Sequence, residues 1–223
     1  MADVELQRKN MVESQVRPSD ITDRRIIRAM SDVPRERYVP VASTAIVYGD
    51  LDIRLDAPAP GKPSRVMLAP RVLAKLLQLA AIEDHDDVLI VGAGLGYSAA
   101  IVARLAKSVT ALEESESLAA GARKTLMDEG VASAEVVAGP LIAGVPGKAP
   151  FDVIVVDGGA ETVPQALLDQ LGLGGRLVVV SMQGVAGKAM IWRRHASGFD
   201  ATDAFDASAP VLPGFAKVLA FSL

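Results

Sequence analysis

Three glycines at alternate positions, Gly92, Gly94 and Gly96, interrupt the run Val88-Leu89-Ile90-Val91-Gly92-Ala93-Gly94-Leu95-Gly96-Tyr97-Ser98. A strand leading through clustered glycines into a helix lets the backbone approach a ligand closely, because no Cβ stands in the way. Open sheets hold such ligands beyond the carboxyl ends of their strands, and this loop follows the first strand expected in the sheet. The dinucleotide fingerprint G-x-G-x-x-G requires glycine where Tyr97 stands, and no Gly-Lys-Ser/Thr follows to make a phosphate loop. Glu113 ends the next apolar run, Val109-Thr110-Ala111-Leu112-Glu113, 21 residues past Gly92. A carboxylate there can accept hydrogen bonds from both hydroxyls of a ribose and would repel a ribose bearing a 2′-phosphate. The plainer reading is a solvated strand end formed by Glu113 and Glu114. Asp157, closing the run Phe151-Asp152-Val153-Ile154-Val155-Val156-Asp157, reads either as a polar contact near the same ligand or as a turn cap.

Composition narrows the chemistry further. The chain has no cysteine, which excludes disulfides, thiol nucleophiles and thiolate zinc sites. Its two histidines, His85 and His195, lie far apart, so a histidine-rich metal site is not expected. His85 sits in the polar turn Glu83-Asp84-His85-Asp86-Asp87 and is expected at the surface, where the carboxylates favour its charged form. His195 follows Trp192-Arg193-Arg194 and is read as lacking a nearby acid or nucleophile, so no catalytic triad is expected. The formal net charge of -4, from 23 Lys+Arg against 27 Asp+Glu, gives no global attraction to nucleic acid or anionic lipid. Arg8, Lys9, Arg17, Arg24, Arg25 and Arg28 make the start basic, but without interleaved aromatics a solvated helix face is the favoured reading over nucleic-acid contact. No run reaches the ~18 apolar residues of a spanning helix and no apolar signal region opens the chain, so a soluble cytoplasmic protein is expected.

The elements that must position these residues fall into three zones. Residues 1–40 are charged and helical in pattern: Ser19-Asp20-Ile21-Thr22-Asp23 offers caps before a helix carrying Ile26, Ile27 and Met30, and Pro34 and Pro40 bound the stretch that closes it. Residues 41–70 are broken by Pro58, Pro60, Gly61, Pro63 and Pro70, which suits either a binding lid or an ordered strap over the N-terminal helices. From residue 71 helices and strands alternate. Helical patterns over 71–82, 98–106, 117–130 and 163–171 separate apolar runs at 87–92, 108–113, 134–139, 151–159 and 175–181. Two final strands are expected at 190–195 and 215–223. This alternation predicts an α/β fold, a mostly parallel sheet with helices on both faces, preceded by an N-terminal helical extension. The expected division is residues 1–70 as N-terminal helices and loop, and residues 71–223 as the ligand-binding domain.

At this point the residues resemble a family. G-x-G-x-G after the first strand, an acid ending the second, and the later segment through Gly174-Gly175-Arg176-Leu177-Val178 are similar to class I S-adenosylmethionine-dependent methyltransferases. More narrowly the chain resembles the protein-L-isoaspartate O-methyltransferases. Val33-Pro34-Arg35-Glu36-Arg37-Tyr38-Val39-Pro40 is similar to their VPRExFVP stretch, and Val88 to Tyr97 to their VLEIGTGSGY. Pro164-Gln165-Ala166-Leu167-Leu168 and Pro210-Val211-Leu212-Pro213-Gly214 match their later segments. The resemblance implies a seven-stranded Rossmann-like sheet with the donor S-adenosylmethionine lying over Gly92, Ala93, Gly94, Gly96 and Tyr97. It further implies Glu113 on the ribose, Gly139, Pro140 and Leu141 beside the adenine, and Asp157 nearby. Met67, Leu68 and Ala69 would meet a protein or peptide substrate with a carboxylate acceptor. The implied activity is protein repair by methylation of L-isoaspartyl carboxylates, an in-line displacement that needs alignment more than a strong base, and no metal.

Four positions depart from the family pattern. Ile90 stands where an acid helps hold the methionine end of the donor, and Pro140 stands where an aspartate meets the adenine amino group. Val66-Met67-Leu68-Ala69-Pro70 replaces the hydroxyls of Thr-Ile-Ser-x-Pro with apolar side chains, and Asp157-Gly158-Gly159 replaces Thr-Ala-Ala. Losing the acid and the adenine acceptor would weaken donor binding by about two orders of magnitude. Three readings follow: a working methyltransferase, a degenerate homologue with weak or no catalysis acting as a binding or regulatory protein, and a dinucleotide enzyme, against which Tyr97 argues.

Overall fold

The computed structural model describes residues 4–57, 64–184 and 186–217. Helix α1 (Val4–Met11) runs through further helical turns to Ser19, and α2 (Arg24–Asp32) follows. Asp23 is the residue that caps α2, its side chain accepting from the Arg25 N–H at 2.8 Å. The amphipathic reading of α2 holds, with Ile26, Ile27 and Met30 buried. Two-residue strands β1 (Ile53–Arg54) and β2 (Val66–Met67) pair antiparallel and turn most of the loop-like zone into an ordered strap. Val47, Ile53, Leu55, Met67 and Leu68 are buried along it. Of its expected breakers, Pro58, Pro60, Gly61 and Pro63 lie outside the described residues.

Helix α3 (Pro70–Ala80) opens the α/β part, which continues as β3 (Asp87–Val91), α4 (Tyr97–Val102), β4 (Ser108–Glu113), α5 (Glu116–Asp128) and β5 (Ala134–Ala138). Then come β6 (Phe151–Ala160), the single-turn α6 (Gln165–Leu168), β7 (Leu171–Ser181), β8 (Lys188–His195) and β9 (Gly198–Asp206). Among the described residues the main sheet has seven strands in the order β5-β4-β3-β6-β7-β8-β9. Pairing is parallel from β5 to β7 and antiparallel from β7 to β9. The fold is thus the Rossmann-like sheet expected, with β3 at the point where successive strands go to opposite sides, the place where such sheets open a crevice.

The sequence reading misses one strand of the sheet. The seventh strand is β9, whose Phe199 and Phe205 are its only large apolar residues and whose other positions are mostly exposed. Of the strand expected at 215–223, only the first three residues are described. Phe215 there is buried in irregular chain and its carbonyl accepts from the Glu161 and Thr162 N–H groups, while residues 218–223 lie outside the described ones. His195 likewise has an acid partner after all: Asp200, brought opposite by the β8–β9 hairpin, bonds its ring at an exposed position. No helix among the described residues is long and apolar enough to cross a membrane.

Strand periodicity divides the core in two. Val88, Ile90, Val153, Val155, Val178 and Val180 face one side, where α2 and α3 supply Ile26, Met30, Leu73, Leu76 and Leu77. Leu89, Val91, Ile154, Val156, Leu177 and Val179 face the other, covered by Leu167, Leu168, Leu212 and Phe215. The N-terminal helices therefore share one continuous core with the sheet. Arg176 of β7 clasps the end of α3, donating to the Ala80 and Ala81 carbonyls and pairing with the buried Asp86 at 2.8 Å. Arg176→Met is expected to lower the unfolding free energy by about 2 kcal/mol, because Asp86 loses its counter-charge out of water; urea denaturation of both proteins measures it.

Candidate functional site

The glycine loop joins β3 to α4, and its first N–H groups, of Gly92 and Ala93, are held by the Leu112 carbonyl of β4 at 2.9 and 3.0 Å. Gly92 has φ +87° and Gly94 φ +57°, in the left-handed region that side chains resist. The space over the loop is taken by side-chain ends: a Cβ on Gly92 would lie 2.8 Å from Arg65 Nη2, and one on Gly94 2.5 Å from Leu55 Cδ1. Leu212 closes the same place from the other side, 3.1 Å from the Cβ position of Gly92 and 2.5 Å from that of Gly158. The strap and the C-terminal turn therefore both reach onto the loop.

Glu113, at the carboxyl end of β4, is wholly buried. Its Oε2 accepts from the Gly94 N–H at 2.8 Å and from Arg65 Nη2 at 2.9 Å, and its Oε1 accepts from the Ser115 N–H at 3.0 Å. The solvated strand end considered from sequence is thus excluded. Arg65 is itself only 4% exposed, so the pair is a buried ion pair with backbone donors filling the remaining acceptor positions.

Asp157 lies within the buried run of β6 close by and is only 6% exposed. Burial pushes its carboxyl up to about 6; the Ser98 hydroxyl and the Arg65 and Arg35 guanidiniums pull the other way, and Glu113 adds to the rise. Its Oδ1 has no hydrogen-bond partner, nor have Arg65 Nε, Arg35 Nη1, Ser98 Oγ or the Tyr97 hydroxyl, all buried. Arg35 is completely buried, donating to the Val47 and Leu68 carbonyls at 2.9 and 2.8 Å and lying 4.9 Å from the centre of the Tyr97 ring. Burial lowers its proton affinity and raises that of the Tyr97 hydroxyl. Two cations, one fixed carboxylate and one carboxyl of raised proton affinity thus meet at the ends of β3, β4 and β6, among unused donors and an unused acceptor.

The sequence-derived residues come together unevenly. Gly92, Ala93, Gly94, Gly96, Tyr97, Glu113 and Asp157 converge on this place. Met67, Leu68 and Ala69 are buried on the strap, where the Leu68 carbonyl is taken by Arg35 and the Ala69 N–H donates to Asp52 at 2.7 Å. Gly139 lies beside the end of β4, its N–H on the Glu113 carbonyl at 3.1 Å; Pro140 is exposed and starts a turn, and Leu141 is buried in the second core. Ile90 packs into the first core with no exposure. Sequence reasoning missed Arg65, Arg35, Leu55 and Leu212. Arg35 carried a signal, a basic residue inside an otherwise recognisable stretch; a lone arginine after a proline-rich segment carried none. Next to Ala69 an open groove is lined by Leu51, Asp52, Arg71, Lys75 and Phe205, with Lys75 Nζ 4.4 Å from the centre of the Phe205 ring.

Comparison with known proteins shows the family. A family model described as protein-L-isoaspartate(D-aspartate) O-methyltransferase matches residues 6–200. A protein-L-isoaspartate O-methyltransferase of Methanoculleus marisnigri is 39% identical over 172 residues, 77% of this chain and 76% of that protein. One from Gloeobacter violaceus is 37% identical over 169 residues, 76% of this chain and 80% of its own. Among solved structures, a protein-L-isoaspartate O-methyltransferase superposes with TM-score 0.81 at 22% identity, covering 93% of this chain and 66% of that one. A Plasmodium falciparum protein assigned to the same family, solved with S-adenosyl-L-homocysteine, gives TM-score 0.76 at 18% identity over 95% of this chain and 99% of its own.

The buried carboxyl makes stability depend on pH. Unfolded, an aspartate loses its proton near 3.9; folded, Asp157 keeps it to about 6. Between those values the native state binds more protons, so stability falls as pH rises through the window and is level above it. Asp157→Asn removes this penalty and is expected to be more stable than the parent by about 3 kcal/mol at pH 8, with the advantage gone below about pH 4. Chemical denaturation across that range measures it; a constant difference would exclude Asp157 as the source.

Proposed function

The chain belongs to the protein-L-isoaspartate O-methyltransferase family, and we propose that the cluster at the ends of β3, β4 and β6 is its donor site. The protein is an S-adenosylmethionine-dependent methyltransferase of that family, and the dinucleotide reading falls away. The carrying observation is Glu113: a buried carboxylate set against a glycine loop, at the switch point of a parallel sheet. The residues present fit the donor. Gly92 and Gly94 hold the loop in left-handed turns bare of side chains, and buried donors and an acceptor lie beside it without partners.

In this reading Glu113 takes the ribose hydroxyls. Gly92, Ala93, Gly94, Gly96 and Tyr97 hold the methionine part, Gly139, Pro140 and Leu141 border the adenine, and Asp157 lies close by, beside Arg65. Bound there, S-adenosylmethionine supplies a methyl group made electrophilic by its sulfonium. The chain contributes alignment and a dry environment, because an ionised carboxylate acceptor needs no general base. Residues 1–70 form the substrate-side layer over the donor-binding part, residues 71–223. Met67, Leu68 and Ala69 shape the acceptor end through backbone and apolar contact instead of hydroxyls. The groove beside Ala69 would receive the peptide. The substrate is a protein or peptide bearing an isoaspartyl carboxylate, met in the cytoplasm.

Isotope-labelled methyl transfer to an isoaspartyl peptide, with the aspartyl isomer as control, tests the activity; transfer is expected to the first alone, and equal labelling of both would overturn the substrate assignment. Glu113→Ala is expected to weaken S-adenosylhomocysteine binding at least about tenfold in a calorimetric titration, as charge-assisted hydrogen bonds to the ribose are lost. Unchanged affinity would remove the ribose role.

A further inference from the structure

We propose that Arg65 competes with the methyl donor for Glu113, and that donor binding moves its guanidinium across to Asp157. The inference rests on the reading of Glu113 as the ribose carboxylate. Both oxygens of that carboxylate are already engaged: Oε2 by Arg65 and the Gly94 N–H, Oε1 by the Ser115 N–H. The carboxylate has no exposure, so a ribose cannot approach it with the guanidinium in place. The Arg65 fork lies over the glycine loop itself, with Nη2 2.8 Å from the Cβ position of Gly92. Arg65 is therefore seated where a ligand of this loop would be.

A second seat stands ready. Arg65 Nε and Asp157 Oδ1 are both buried and both lack a hydrogen-bond partner. An unused donor and an unused acceptor in one dry cluster are costly while they stay apart, and the cost is relieved when they meet. Moving a guanidinium from one carboxylate to another keeps the charge out of water yet compensated, which full expulsion of a buried arginine would not. The groups facing Asp157 are Arg65 from the strap, Arg35 from the turn after α2, Glu113 from β4 and the Ser98 hydroxyl from α4. Of these, Arg35 is fixed by its bonds to two backbone carbonyls. Arg65 is thus the cation free to re-pair, and its arrival would ionise Asp157 and release that proton to solvent.

Calorimetric titration with S-adenosylhomocysteine at pH 6, in buffers of different ionisation enthalpy, reads the move directly in the unaltered protein. About half a proton is expected to leave per ligand bound, and none in Asp157→Asn. Arg65→Met is expected to bind about tenfold more tightly than the parent, and Asp157→Asn severalfold more weakly. The double variant should match Arg65→Met, because Asp157 acts through Arg65. Arg65→Lys, which keeps the buried charge without the fork, should tighten binding by less and serves if the methionine variant does not fold. Binding with no proton release, or with an affinity that Arg65→Met leaves unchanged or weakens, overturns the competition and leaves the donor site standing. Absence of binding by every protein at millimolar ligand overturns the donor reading, and the competition with it.

Discussion

Glu113 has no contact with water, and a buried ionised carboxylate is tolerated only when its acceptor positions are filled and its charge is balanced. That one requirement fixes much of what surrounds it. The Gly94 N–H can reach Oε2 only because the loop turns through left-handed φ values, so the glycines are demanded by the carboxylate as much as by any ligand. The balancing cation has to come from outside the sheet, and Arg65 supplies it from the strap, 48 residues earlier in the chain. The ordering of the strap and the conformation of the glycine loop are consequently two views of one electrostatic demand.

Around this point the sheet acts as a plane of separation. The first core joins the N-terminal helices, the strap and α3 to one face, and the second gathers α6 and the C-terminal turn on the other. Leu55 arrives at the loop from the first side and Leu212 from the second. Arg35 ties the N-terminal layer to the strap through the Val47 and Leu68 carbonyls, which sets the backbone of Met67-Leu68-Ala69 without any side-chain hydroxyl. The apolar replacements at positions 68 and 90 are, in this light, packing residues of the first core.

The parallel strands were legible because burial on both faces demands continuous apolar runs, as in Leu89-Ile90-Val91 and Val153-Ile154-Val155-Val156. Strand β9 was not, since a solvated edge strand has no such demand and its Thr and Asp residues read as turn. Glu113 and the glycine loop were legible because strand end and tight turn leave marks in local order. Arg65 was not: its importance lies in a contact 48 residues away, and a single charge in irregular chain has no periodicity to betray it. Asp157 was visible, but its chemistry was not, because only the fold reveals that its carboxyl is dry and half unpartnered.

The shared first core also bears on how the chain comes off the ribosome. Met11, Val16, Ile26, Met30 and Tyr38 are made before any strand of the main sheet exists, yet the core they belong to includes Val155 and Val178. Synthesis proceeds from the amino end at about 5–20 residues per second, so these apolar side chains wait, uncovered, for several seconds or longer. The basic and acidic residues spread along the first helices, paired as Arg17 with Glu13 and Arg28 with Asp32, keep that waiting segment hydrated. The layer that completes the site is thus made before the sheet whose core it shares.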